Sequence, residues 1–116
     1  MIAAATRKAG AVVRGEIWLA ALEPTLGSEI QKTRPCVVIS PDEMNAHLRT
    51  VAVAPMTTGS HPAPFRIAVS HGGQRGLILL DQIRTLNKVH LIRRSGRVSA
   101  RTLAATLECL QETFAL

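Results

Sequence analysis

The sequence predicts an α+β domain in which strands dominate: several short strands closing into a small barrel or curled sheet, with one helix at the C-terminus packed on it. Three observations carry this. Apolar and β-branched residues gather in short runs, Pro- and Gly-containing turns separate the runs, and only the last part of the chain spaces its apolar residues three and four apart. The length of 116 residues, 47% of them hydrophobic, suits one domain with one core.

The elements follow in order. Residues 1–13 read as a flexible N-terminal extension and residues 14–116 as the folded domain. Residues 15–22 form the first strand, with Ile17, Leu19 and Ala21 on one face and Glu16, Trp18 and Ala20 on the other; the alternation is imperfect, which fits a mostly buried strand. Pro24 and Gly27 break it and open a loop through Lys32. Residues 35–40 form a buried strand with Pro35 at its start, since proline cannot donate to a ladder. Residues 41–45 start a short helix capped by Ser40, with Pro41 in the first helical position. Residues 50–54 are a third strand ending at Pro55, residues 65–69 a fourth, and residues 71–76 a turn. Further strands cover residues 77–80, 83–86 and 90–98. Ser99 caps the terminal helix, whose apolar stripe is Leu103, Leu107, Leu110 and Phe114.

Charge narrows the partners. There are 14 Lys+Arg against 8 Asp+Glu, for a net +6, and eleven of the basic residues are Arg. Such a balance suits a polyanion, either nucleic acid or an acidic protein. Cys36 and Cys109 sit in apolar surroundings and read as reduced thiols of a cytoplasmic protein. No apolar run approaches the roughly 18 residues of a membrane span, so no membrane partner is expected. His47, His61, His71 and His90 are scattered, no Cys/His pair has zinc spacing, and Asp81 stands alone, so neither a metal site nor a cofactor is expected.

RNA hydrolysis has a route without metal or cofactor. The 2′-hydroxyl of RNA attacks its own phosphate if the protein aligns it, moves protons and stabilises charge on phosphorus. Arg34, where a loop meets a strand, and Thr57-Thr58, where another strand ends, are placed for this. Each also has a plain structural account: Arg34 paired with Glu29 or a helix end, and the threonines as a hydroxyl turn.

The runs Arg14-Gly15-Glu16-Ile17-Trp18, Glu23-Pro24-Thr25-Leu26-Gly27-Ser28-Glu29 and Lys32-Thr33-Arg34-Pro35-Cys36-Val37-Val38-Ile39-Ser40 come first. They are followed by Val53-Ala54-Pro55-Met56-Thr57-Thr58, Pro64-Phe65, Asp81-Gln82-Ile83-Arg84-Thr85-Leu86 and Gly96-Arg97-Val98. In that order they resemble the MazF/PemK toxins of type II toxin–antitoxin systems, from about Arg14 to the end. The resemblance implies a small SH3-like, CcdB/PemK-like barrel and a homodimer. It also implies an endoribonuclease that cuts single-stranded mRNA to leave 2′,3′-cyclic phosphate and 5′-hydroxyl ends. The expected partner is an antitoxin, MazE-like, whose acidic tail covers the RNA groove. By the same resemblance Arg34 stabilises the pentavalent phosphate and takes part in proton transfer. Thr57 bonds the scissile phosphate, and Glu29 supports acid–base chemistry. Gly27, Ser28, Lys32, Thr58, His61 and Arg84 are the expected RNA-binding residues.

Two features stay open at this level. Asp81-Gln82 matches a family motif, while a buried aspartate bonded to backbone accounts for it equally. Arg93, Arg94, Arg97 and Arg101 form either a solvated face or a track for phosphates or an acidic antitoxin. With only Trp18, Phe65 and Phe114 as aromatics, base stacking contributes little, and sequence preference falls to hydrogen bonds in loops. The competing readings are a non-enzymatic gyrase poison of the CcdB type and a catalytically silent RNA-binding module. The Arg34–Thr57 pair argues against the first.

Overall fold

A computed structural model of the chain describes residues 11–22 and 33–116. The loop expected from Glu23 to Lys32 and the first ten residues lie outside the described residues. The strands are β1 (Glu16–Ala21), β2 (Thr33–Val38), β3 (Thr50–Thr57), β4 (Arg66–His71), β5 (Gln74–Leu79), β6 (Arg84–Asn87) and β7 (Leu91–Arg97). The helices are α1 (Asp42–His47) and α2 (Ala100–Thr113), and single 3-10 turns flank β6. One antiparallel sheet runs in the order β4-β5-β3-β2-β1-β7, with β6 also on β3. The sheet curls into a half-closed barrel: its end strands β4 and β7 meet through side chains, with no ladder between them.

Both faces of the sheet are covered, which is why β1 alternates poorly. Trp18 and Ala20 pack with Val12, Cys36, Val53 and Leu86 on one side. Ile17 packs with Val37, Met56, Val69 and Ile78 on the other. Val38 and Val53 are fully buried, each contributing on the order of 1.5–3 kcal/mol from apolar burial. Val12, counted with the N-terminal extension in the sequence reading, is 6% exposed and belongs to the first cluster.

Two prolines sit deeper in strands than expected. Pro35 is the third residue of β2, paired with Leu19 of β1. The ladder from β2 to β3 covers only Cys36 to Val38, so at Pro35 that side of the strand is an edge, where a missing N–H costs no ladder bond. Strand β3 likewise does not stop before Pro55 but runs to Thr57. It pairs with β6 through Val53 and with β5 from Met56, and Pro55 falls between these two ladders. The expected cap of α1 is also displaced by one residue. Pro41 is the N-cap, while the Ser40 hydroxyl donates to Asn45 Oδ1 and accepts from the Ala52 N–H.

The turn expected over residues 71–76 shrinks to Gly72-Gly73, with φ of 61° and 78°. Positive φ at both central residues matches the twist of a two-residue hairpin, so β4 pairs with β5 right up to His71 and Gln74. Helix α2 begins as expected: Ser99 accepts a bond from the Thr102 N–H at 3.1 Å. Its buried face carries Leu103, Cys109, Leu110 and the fully buried Thr106, whose hydroxyl donates to the Thr102 carbonyl. Phe114 departs from the expected stripe. It lies past the last helical residue and is 72% exposed.

Both cysteines are free, as expected. Burial pushes the Cys36 thiol up to about 12, opposed by the nearby positive charge of Arg84. Burial thus disfavours the thiolate, the reactive form, at Cys36. Iodoacetamide on the native chain is therefore expected to label Cys109, which is half-buried, and to spare Cys36, with denaturant making both react. Peptide mass spectrometry checks this; rapid native labelling of Cys36 contradicts the packing of β2.

Candidate active site

The site grows out of the way β2 and β3 part. Their register pairs Val38 with Val53, Val37 with Ala54 and Cys36 with Pro55. Two residues further, the same register sets Arg34 opposite Thr57. The ladder ends at Cys36 and Pro55, while on its other edge β3 pairs Met56 and Thr57 with Ile78 and Leu77 of β5. A cleft of about 320 Å³ opens there, lined by Arg34, Pro35, Met56, Thr57, Thr58, Val69, His71, Gly72, Gln74 and Gly76. Three of the expected residues, Arg34, Thr57 and Thr58, are thus brought into one concavity.

Arg34 is half-buried, and among the described residues no group bonds its guanidinium. Its carbonyl accepts from the Cys36 thiol. No carboxylate of the described residues lines the cleft, so the fork of donors faces an uncompensated space suited to an anion. The Thr57 hydroxyl oxygen accepts from the Gly59 N–H at 3.2 Å, the hydroxyl turn anticipated from sequence. That bond uses a lone pair and leaves the O–H proton to donate. Gly76 holds the backbone of Thr57 close: a Cβ at Gly76 would come within 2.6 Å of the Thr57 carbonyl oxygen.

Other expected residues are elsewhere. His61 is exposed, does not line the cleft, and offers its carbonyl to Arg66 Nη1 at 3.1 Å. Arg84 donates to the Leu22 carbonyl at 3.2 Å, and its charge acts on the Cys36 thiol. It does not line the cleft either. Gly27, Ser28, Glu29 and Lys32 lie outside the described residues. Asp81 is exposed rather than buried. It forms a two-pronged pair with Arg66, Oδ1 to Nε at 3.2 Å and Oδ2 to Nη2 at 3.0 Å, which holds its pKa below the ordinary carboxylate value. Of the arginine run, Arg94 lies 2.9 Å and Arg97 4.0 Å from the buried Glu16 carboxylate. His71 and Gln74, absent from the sequence-based site, line the cleft because the short hairpin carries them there. No helix among the described residues is long and apolar enough to cross a membrane.

A strand-dominated half-barrel with an unpartnered arginine and two strand-end threonines in its cleft defines a small, basic barrel with an anion-suited cleft. Comparison with known proteins makes the assignment. Residues 13–114 match the family described as PemK-like, MazF-like toxin of type II toxin-antitoxin system. The chain is 37% identical to the endoribonuclease PemK of Escherichia coli over 86 residues, 70% of this chain and 65% of that protein, a little under two thirds of its length. It is 37% identical to the endoribonuclease MazF9 of Mycobacterium tuberculosis over 109 residues, covering 84% of this chain and 92% of that one. A mycobacterial endoribonuclease solved in complex with its cognate antitoxin superposes with a TM-score of 0.76 at 23% identity, over 91% of this chain and 97% of that one; the likeness is one of fold. The chain belongs to the PemK/MazF toxin family.

Proposed function

We propose that the chain is the toxin of a type II toxin–antitoxin pair, a sequence-specific, metal-independent endoribonuclease that cleaves single-stranded mRNA in the cytoplasm. The observation that carries this reading is the unpartnered Arg34 guanidinium sharing a carboxylate-free cleft with Thr57 and Thr58. The 2′-hydroxyl attacks the adjacent phosphorus, and the P–O5′ bond breaks. Products are a 2′,3′-cyclic phosphate and a 5′-hydroxyl. Arg34 donates two hydrogen bonds to the equatorial phosphate oxygens as charge accumulates there. Thr57, fixed through Gly59, donates a third. By the family resemblance, Gly27, Ser28 and Lys32 supply RNA contacts and Glu29 acid–base support. The toxin acts as a homodimer, and its net charge of +6 suits both RNA and an antitoxin whose acidic tail occupies the RNA groove.

The test is incubation of the purified, antitoxin-free chain with long unstructured RNAs in EDTA, followed by mapping of 5′ ends. Discrete cuts with 5′-hydroxyl termini support the reading and give the recognition sequence. No cleavage across diverse RNAs, or a requirement for added magnesium, overturns it.

Gly76→Ala tests the positioning of Thr57. Its new methyl drives against the Thr57 carbonyl, so the threonine must shift. Displacement of a positioned group by about 1 Å lowers turnover by up to roughly 10²-fold. A tenfold or larger fall in kcat is expected, with a stability loss of about 1–3 kcal/mol. Gly59→Ala is the control: its Cβ meets only the Thr57 hydroxyl oxygen, at 4.0 Å, and activity should stay close to that of the unaltered chain.

A further inference from the structure

Phosphate contacts place an RNA strand but carry no sequence information, so a sequence-specific nuclease must also touch a base edge. In the cleft, Arg34 and Thr57 are taken up by the phosphate. No Phe, Tyr or Trp among the described residues lines it, so stacking on such rings does not supply the selection. His71 is turned to β7: Nε2 lies 3.1 Å from the Ser95 hydroxyl oxygen, and a Cβ on Gly96 would come within 3.1 Å of Cε1 and 3.5 Å of Nδ1. Thr58 offers one hydroxyl, which suits any base. Gln74 remains. It is exposed, it lines the cleft, and its amide has no partner among the described residues. We infer that Gln74 is a specificity-determining residue of the cleavage reaction, reading the edge of a base beside the scissile phosphate, with adenine as the base it fits. The inference rests on the endoribonuclease reading above.

The direction of the side chain follows from the register. Val69 pairs with Gly76 and His71 with Gln74, so these four share one face of the β4–β5 hairpin. It is the inward face, because Val69 packs with the fully buried Ile78. Ile78, Gly76 and Gln74 therefore form one row along β5. A Cβ on Gly76 would lie 2.6 Å from the Thr57 carbonyl oxygen and 3.6 Å from Thr58 Cγ2. The row is thus turned to the end of β3 that carries the two threonines. Gln74 stands two residues further on, about 7 Å along the strand. That step clears a phosphate held at Thr57 and leaves the amide level with the base attached to it. Gly76 has no side chain, so nothing in the row stands between.

A primary amide presents an acceptor, Oε1, and a donor, Nε2–H, side by side in one plane. Adenine shows the complementary pair on one edge: its N6 amino group donates to Oε1 while its N7 accepts from Nε2. On the same edge guanine has two acceptors, so only one bond forms, and pyrimidines lack the N7. In a single strand this edge is free to meet a side chain. Arg75, the next residue, is the contrast. It pairs with Ser70 on the opposite face of the hairpin and lines a separate recess beside the start of α2.

The deciding experiment is cleavage of an RNA pool randomised around the preferred cut, with products sequenced from their 5′ ends, by the unaltered chain, Gln74→Ala, Gln74→Glu and Arg75→Ala. The unaltered chain should favour adenine about tenfold or more at one position bordering the cut, the size of one two-bond base contact. Gln74→Ala should level the four bases at that position and leave selection elsewhere in place. Its kcat/KM should fall about tenfold on RNA with the adenine and hardly at all on RNA with another base there. Gln74→Glu keeps an acceptor and loses the donor, so cytosine, whose N4 amino group donates, should gain on adenine. Arg75→Ala should keep the adenine preference. Gln74 is exposed, so its variants should unfold at the urea midpoint of the unaltered chain. A Gln74→Ala profile unchanged at every position, a rate loss equal for all sequences, or an adenine preference lost equally in Arg75→Ala overturns the inference while leaving the endoribonuclease reading intact. So does levelling at a position that selects a base other than adenine. Absence of cleavage by the unaltered chain removes both.

Discussion

Arg34→Ala is expected to lower the cleavage rate by about 10³-fold, near 4 kcal/mol of transition-state stabilisation, while RNA stays bound. The size follows from the geometry. The guanidinium has no partner among the described residues and faces a cleft without a carboxylate, so nothing offsets its field at the phosphate. A donor that meets charge only as it develops acts on turnover more than on binding. Affinity should fall by less than tenfold, and the slope of log affinity against log salt should flatten by about 0.7, the contribution of one phosphate contact to a single strand. Stability should change by no more than about 0.5 kcal/mol, because no hydrogen bond or ion pair of the described structure ends on this side chain. Arg34→Lys should recover little, since a point charge does not reproduce a two-pronged fork. Single-turnover kinetics, a salt titration of binding and a urea melt check the three parts. A mutant that still cuts at a tenth of the normal rate rules out Arg34 as the principal stabiliser. A silent RNA-binding module has no cleavage to lose.

From residue type and place Arg34 was only a candidate with an adequate structural account, and the resemblance to the MazF/PemK toxins singled it out. Thr57 and Thr58 were visible in the same way, at the far end of another strand. What joined them was the register between β2 and β3, which the residues do not state. His71 went unnoticed for a related reason. His-Gly-Gly-Gln reads as part of a loop, whereas two glycines able to take positive φ turn the chain in two residues and leave His71 as the last strand position. The signal was present in Gly72-Gly73, but the cleft needs β5 to pair with β3, a contact remote in sequence. Arg84 shows the opposite case. Its motif matched, yet in the fold its guanidinium reaches the Leu22 carbonyl and serves the packing near Cys36. The prolines misplaced two strand boundaries because the rule against proline in a ladder applies to each side of a strand separately. Local sequence does not say which side is unpaired.

Glu16→Ala is expected to cost about 3 kcal/mol or more of folding stability, the larger of the structural effects, because one buried carboxylate ties three parts of the chain together. Its side chain is 2% exposed. Oε1 accepts from the Val13 N–H at 2.9 Å and from Trp18 Nε1 at 3.0 Å, while Oε2 meets Arg94 Nη1 at 2.9 Å. The Val13 bond anchors the chain ahead of β1, the Trp18 bond orients the largest side chain of one core cluster, and the Arg94 bond reaches β7. Removing the carboxylate leaves the indole N–H and a backbone N–H without acceptors, beside a void. Arg94, with a side chain 60% exposed, returns to water and suffers less. Glu16→Gln keeps an oxygen for Val13 and Trp18 but presents an amide N–H₂ to Arg94, so an intermediate loss of about 1–2 kcal/mol is expected. Trp18→Phe removes only one of the donors, and combining it with Glu16→Ala should cost less than the sum of the two, since the orphaned indole N–H disappears with the ring's nitrogen. Urea melts of the four variants and the unaltered chain measure all of this. Strict additivity between Glu16→Ala and Trp18→Phe shows that the indole does not donate to this carboxylate in solution, and a Glu16→Ala midpoint equal to that of the unaltered chain shows that the carboxylate does not hold β1 against β7.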